Sequence, residues 1–233
     1  MNEDILFSTP EQVAQDQQRF IVKVYGWMAA ALAITGMVAL WAATSESMLT
    51  FIYGNQGVII GLMIVKLLLV GSLAGWVNKM SSTTATIIFI VYSVLTGFVF
   101  SGLFLIYTAG SLASTFLITG GMFAVMSIYG WRTGNDLTKF GSLLFMLLIG
   151  LIIASIVNIF MNSTMLYWIS TYVGIFIFTG LIAYDTQKIK DMGARVEEGT
   201  EEHRKGAIVG ALNLYLDFIN LFLMLLRIFG SKR

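Results

Sequence analysis

The sequence predicts an all-α integral membrane protein with seven spanning helices, and three observations carry that expectation. Of 233 residues, 57% are hydrophobic and only 12% are charged, about half the charged share of a soluble domain. Seven mostly apolar stretches, at 21–43, 57–77, 85–107, 111–131, 140–161, 165–185 and 206–229, approach the roughly 20 residues that a spanning helix needs. The joints between them are short, which leaves no room for a separate soluble domain. The chain therefore divides into a polar tail at 1–20, one membrane domain at 21–229 and a short tail at 230–233.

The elements follow in order. Residues 1–18 are polar and carry four acids before Arg19, unlike the basic start and short apolar stretch of a cleaved signal peptide, so the N-terminus is expected to be retained. The only proline, Pro10, falls in this tail, which excludes proline-broken spans. The second span carries Lys66 near its middle, with no acid nearby in sequence. GxxxG spacing at Gly57/Gly61, Gly71/Gly75 and Gly206/Gly210 suits close helix contact, although 23 glycines make each pair a weak signal. Asn158 in the fifth span reads as packing glue. Trp76, Trp131 and Trp168, near span ends, read as interfacial anchors.

Basic residues orient the chain. Arg19, Lys23, Lys79, Arg132, Lys139, Lys188, Lys190, Arg195, Arg204 and Lys205 all fall on the N-terminal side or in even-numbered connections, and the odd connections hold none. The N-terminus and even connections are thus expected in the cytoplasm. Seven crossings then place Arg227, Lys232 and Arg233 outside, against the bias; either the upstream bias overrides these three or the last segment does not cross fully.

Several chemistries are excluded at this stage. No cysteine is present, so disulfides and thiolate sites are absent. The single histidine, His203, stands in the charged string EEGTEEHRKG and reads as a solvated loop residue. A net charge of +1 gives no reason to expect nucleic-acid binding. No serine-nucleophile or phosphate-loop motif occurs.

The seventh span is the informative one. Asp217 sits at the centre of its apolar run, where a carboxylate costs about 2.5–3.5 kcal/mol on insertion scales. Gly206, Gly210, Asn213, Asp217, Asn220 and Arg227 recur at helical spacing and form one small, polar face. Such a stripe turns toward other helices or a watery path. The sixth span ends in GLIAYDTQKIK, which places Asp185 at its cytoplasmic end on the adjacent, antiparallel helix. Asp217 lies about 16 Å from the start of its run. The two acids therefore meet only if the seventh helix begins in the cytosol or the sixth dips inward.

LNLYLDFINLFLMLLRIFG, preceded by a span ending in AYDTQKIK, resembles the signature of the Bax inhibitor-1 family, in particular its bacterial inner-membrane branch related to YccA. VYGWM at Val24–Met28, the SVLTGFVFSGLF segment around Gly97 and DLTKFG at Asp136–Gly141 extend the likeness over nearly the whole chain. The resemblance implies a seven-helix bundle with the last helix central, in the bacterial inner membrane. It implies a pH-sensitive calcium leak, or in eukaryotes suppression of cell death, with Asp185 and Asp217 as the family's aspartate pair. In a structurally described relative an arginine at the end of the second span latches onto that pair. Lys79 holds that position here, without arginine's planar fork. Some members of this branch are associated with a membrane-bound protease.

Paired carboxylates in low dielectric cannot both ionise cheaply, so they titrate as a unit. Singly protonated, they share a hydrogen bond; ionised, they repel and offer hard oxygen ligands suited to weak calcium binding. Asn213 and Asn220 either supplement those ligands or act as interhelical hydrogen-bond donors. Lys66 is expected as a counter-ion to Asp217, and a lysine there would repel calcium. Beyond calcium and protons no cofactor is expected. Intramembrane aspartyl proteolysis is disfavoured, because Leu214, Tyr215 and Leu216 precede Asp217 where that class has glycine. The competing reading is a membrane-embedded modulator of a protease, or a stress or cell-death regulator, using the acidic run Glu197–Glu202 as a contact surface.

Overall fold

The computed structural model describes residues 10–233, and the expectations for residues 1–9 lie outside it. Among the described residues the helices are α1 (Pro10–Thr44), α2 (Glu46–Tyr53), α3 (Gln56–Trp76), α4 (Ser82–Phe100), α5 (Leu103–Ile106), α6 (Ala109–Arg132), α7 (Thr138–Met161), α8 (Thr164–Gly193) and α9 (Glu201–Phe229), with a 3-10 turn at Val77–Lys79. Seven of these segments are long and apolar enough to cross a membrane, with α4 and α5 counted as one crossing. The expected all-α membrane class is the observed one. Three boundaries differ. Helix α1 starts at Pro10, where a missing N–H costs nothing. The first connection contains α2. Helices α8 and α9 each run past the apolar stretch that predicted them.

Side-chain caps set most helix starts. Ser45 accepts from Met48 N, Asn55 from Gly57 N, Ser81 from Thr84 N and Thr108 from Ser111 N. Ser163 and Thr200 do the same for Leu166 N and His203 N. Each such cap is typically worth about 1 kcal/mol. Helix α7 ends on Asn162 in the left-handed conformation (φ 49°), a role asparagine tolerates. Asn158 serves that turn, since its Oδ1 accepts from Ser163 N. It is a local cap, not interhelical glue.

The chain forms two compact units. The first contains residues 10–105 and 188–213. Here α1 lies along α4. The Thr35 hydroxyl donates to Ser93 O at 3.0 Å, and a Cβ on Gly97 would lie 2.7 Å from Val38 Cβ, so only glycine permits this approach. Tyr53 OH accepts from Gly102 N and donates to Val99 O, covering the break between α4 and α5. Where α8 ends and α9 begins, Phe20 is fully buried and meets the His203 ring edge-on, 5.0 Å between centroids. His203 is buried, with Nδ1 lacking a partner among the described residues. This corrects the expectation of a solvated loop histidine: α9 begins two residues before it, on the face that buries Ala207 and Ala211. Of the acidic run, Glu198 pairs with Arg19 at 3.0 Å and Glu201 with Ser82, while Glu197 and Glu202 are exposed.

The glycine pairs also separate. A Cβ at Gly57 would meet only its own cap, Asn55, and one at Gly61, Gly71 or Gly75 would meet nothing within 4 Å. At Gly206 and Gly210 it would press on Met192 and Ile189. Only the α9 pair mediates helix contact.

The second unit contains Ile106–Gln187 and Leu214–Arg233. A Cβ on Gly180 would lie 2.6 Å from Leu144, and one on Gly174 3.2 Å from Met224, so α8 packs closely on α7 and α9. Phe218 contacts Phe116 and Phe123 at 5.1 and 5.6 Å between centroids, which joins α9 to α6. Tyr107 and Lys232 form an antiparallel bridge, extended by Thr108 N to Ser231 O and Arg233 N to Ile106 O.

Candidate functional site

Asp185 and Asp217 both fall in the second unit, on α8 and α9. Helix α8 continues eight residues beyond Asp185 to Gly193, and α9 starts sixteen residues before Asp217 at Glu201. Both helices thus run past their apolar stretches, the condition under which the sequence allowed the two acids to meet. The Asp185 carboxyl lies within hydrogen-bonding reach of the Asp217 carboxyl. Asp217 is 5% exposed, and its Oδ2 has no partner among the described residues. Asp185 is half-buried. The surroundings of Asp217 on its own helix are apolar: Leu214, Tyr215 and Leu221 are fully buried and Phe218 nearly so. A lone carboxylate there would face a severe desolvation cost, and a partner able to share a proton offsets it.

The second unit holds further buried oxygens. The hydroxyls of Thr115, Ser127 and Thr179 have no partner among the described residues. Thr115 and Ser127 lie on α6 and Thr179 on α8. No group of three or more His, Asp or Glu side chains able to hold a metal occurs among the described residues. A calcium ion at the pair would thus depend on two carboxylates completed by hydroxyls, carbonyls or water, a sparse set for a cation preferring six to eight oxygens.

The remaining predicted residues are distributed as follows. Asn220 Nδ2 donates to Leu216 O, one turn back on α9, at 2.8 Å, so this donor serves its own helix and not a neighbour. Asn213, Lys66 and Lys79 belong to the first unit. Lys79 is exposed at the end of the 3-10 turn. Lys66 is half-buried, with its ammonium 5.3 Å from the centre of the Tyr92 ring, a cation–π contact within its own unit. Arg227, at the far end of the polar face, donates to Thr171 Oγ1 at 3.3 Å and lies 4.8 Å from the Tyr167 ring centre.

Sequence reasoning missed Gln187, Gly130 and Gly141. Gln187 Oε1 accepts from Leu137 N and its Nε2 donates to Asn135 O, both at 2.8 Å. A Cβ on Gly130 would collide with the Ala183 carbonyl, and one on Gly141 with the Tyr184 ring. A glycine on each side of one short connection was the available signal.

Seven apolar segments, with a half-buried carboxyl on the sixth and a buried one on the seventh, define a multi-pass membrane protein. The chain belongs to the Bax inhibitor-1 family: residues 17–233 match the family described as "Inhibitor of apoptosis-promoting Bax1". It is 49% identical over 217 residues to the inner membrane protein YbhL of Escherichia coli K12, covering 93% of each chain. It is 44% identical to a protein of Borreliella burgdorferi, covering 93% of this chain and 94% of the relative. A Rickettsia prowazekii protein is likewise 44% identical, at 93% and 91% coverage. With seven apolar segments and an inner-membrane relative of this similarity, the chain is a multi-pass inner-membrane protein.

Proposed function

We propose that this protein is a pH-sensitive cation leak pathway, with calcium as the permeant ion, in which Asp185 and Asp217 act together as the gate. The observation that carries this reading is the carboxyl contact itself: two acids from consecutive spans, one of them almost wholly buried. With one proton shared, the pair ties α8 to α9. With both ionised, two charges about 4 Å apart repel by roughly 4 kcal/mol at an effective dielectric near 20. That is enough to move a two-state helix arrangement by about a thousandfold. Protonation therefore favours one arrangement, and deprotonation or calcium the other. The role is that of a channel or transporter, not an enzyme. In the same reading the N-terminus faces the cytoplasm, following the basic residues of the even connections.

The test is calcium flux into liposomes containing only this protein, measured as a function of pH. Asp185→Asn and Asp217→Asn keep size and hydrogen bonding but remove ionisation. Each should lose most of the pH dependence, and the double variant nearly all of it together with the calcium response. Equal leak with the same pH profile in wild type and double variant would end the gate reading. The modulator reading would then take its place.

A further inference from the structure

Helix α8 is held from two sides at the level of Asp185. Its front, where Asp185 projects, meets Asp217 on α9. Ala183 and Gln187 are four residues apart and so share one face, about 200° around the helix from Asp185. That back face is clasped by the α6–α7 hairpin. The Gly130 backbone of α6 lies against the Ala183 carbonyl, closer than any Cβ would allow. The connection at 133–137 closes on Gln187, whose single amide satisfies Leu137 N and Asn135 O at once, as a paired strand would. Gly141 of α7 seats the Tyr184 ring. Leu137 itself is buried.

We infer that Gln187 is a positioning residue for the carboxyl pair: by fixing the back of α8 to the α6–α7 connection, it sets where Asp185 stands against Asp217. The inference rests on the reading of that pair as a titrating gate. Two hydrogen bonds net of solvent are worth only about 1 kcal/mol each. Their effect on a contact between two carboxyls is larger than their stability suggests, because like-charge repulsion depends directly on separation. Besides the pair, the titratable groups on these elements are Tyr129, Arg132, Asp136 and Lys139 on the hairpin, all exposed; Tyr167, Tyr172, Tyr184, Lys188, Lys190 and Asp191 on α8; and Glu201, Glu202, His203, Arg204, Lys205, Tyr215 and Arg227 on α9. Removal of the Gln187 amide changes none of these charges.

The experiment uses the full chain in lipid nanodiscs. Infrared spectroscopy follows the protonated-carboxyl band against pH, with the contribution of the pair assigned by its loss in Asp217→Asn. Gln187→Met keeps length and removes both bonds. Gly141→Ala presses on Tyr184 from the other side of the same clasp. Both variants should bring the two titration steps of the pair closer by about half a pH unit or more, since coupling above about one unit is what separates them. The pH profile of calcium flux should shift in step. A merely structural role would lower the melting temperature and leave the separation of the steps unchanged. Folded variants with wild-type step separation overturn the positioning role and leave the gate reading intact. A wild-type flux profile identical to that of the double aspartate variant overturns the gate reading, and this inference with it.

Discussion

Glu201 engages both polar groups of Ser82: Oε1 accepts from the backbone N–H at 2.6 Å and Oε2 from the hydroxyl at 2.8 Å. An acid is thereby brought from the start of α9 to the N-terminus of α4, where free N–H groups and the helix dipole favour negative charge. Glu201→Ala should lower the melting temperature of the purified protein, and Ser82→Ala should lower it less, since the backbone N–H still has its acceptor. The double variant should be no worse than Glu201→Ala alone. A fully additive double variant would show that the two side chains act separately.

Asp136 gives a pH-dependent case outside the spans. Hydrogen bonds from the Thr138 side chain and backbone N–H hold its carboxyl below the usual carboxylate range. A carboxylate lowered on folding stabilises fully above its unfolded value, near 3.9. It loses that contribution as pH falls through the lower folded value. Asp136→Ala should therefore melt below wild type at pH 7, and the gap should close below about pH 3. A gap that widens in acid would contradict the assignment.

Arg227 stacks on Tyr167 and donates to Thr171 in the second unit. A half-buried guanidinium–aromatic contact is worth about 1–2 kcal/mol. Arg227→Lys keeps the charge but loses the planar fork, and should forfeit most of that value. Combining Arg227→Met with Tyr167→Leu in chemical denaturation should reveal a coupling of this size. Zero coupling would reduce the contact to proximity.

The orientation can be tested cleanly because the chain has no cysteine. Ser47→Cys should react with an impermeant thiol reagent from outside intact cells, and Thr200→Cys only after lysis. Ser231→Cys reports the seventh crossing separately and should label from outside. The reverse pattern at Ser47 and Thr200 would invert the assignment.

The spans were legible because membrane insertion is decided by local composition, and Asp217 because its cost in such a span demands a partner. The contact with Asp185 was not, since it depends on how far α8 and α9 outrun their apolar stretches. His203 stands in a charged string that hides its helical register. Extending the α9 periodicity backward through Ala211 and Ala207 puts it on the buried face. Gln187, Glu201 and Tyr53 act on backbone groups 46 to 119 residues away, and no local pattern encodes a partner at that distance. Lys66 has a partner in Tyr92 that hydropathy alone does not reveal.

The hydrogen bond from Thr35 to Ser93 joins residues 58 positions apart, and the Gly97 contact with Val38 spans a similar stretch. During biogenesis, therefore, the first span has no mate when it leaves the ribosome. At about 5–20 residues per second, roughly 3–12 s of translation separate the emergence of Thr35 from that of Ser93. Over that interval α1 depends on lipid, the insertion machinery or a chaperone to shelter the face that later buries Ala31, Thr35 and Ala39. A nascent chain stalled before Ser93 should thus crosslink from position 35 to one of these and not to its own later helices.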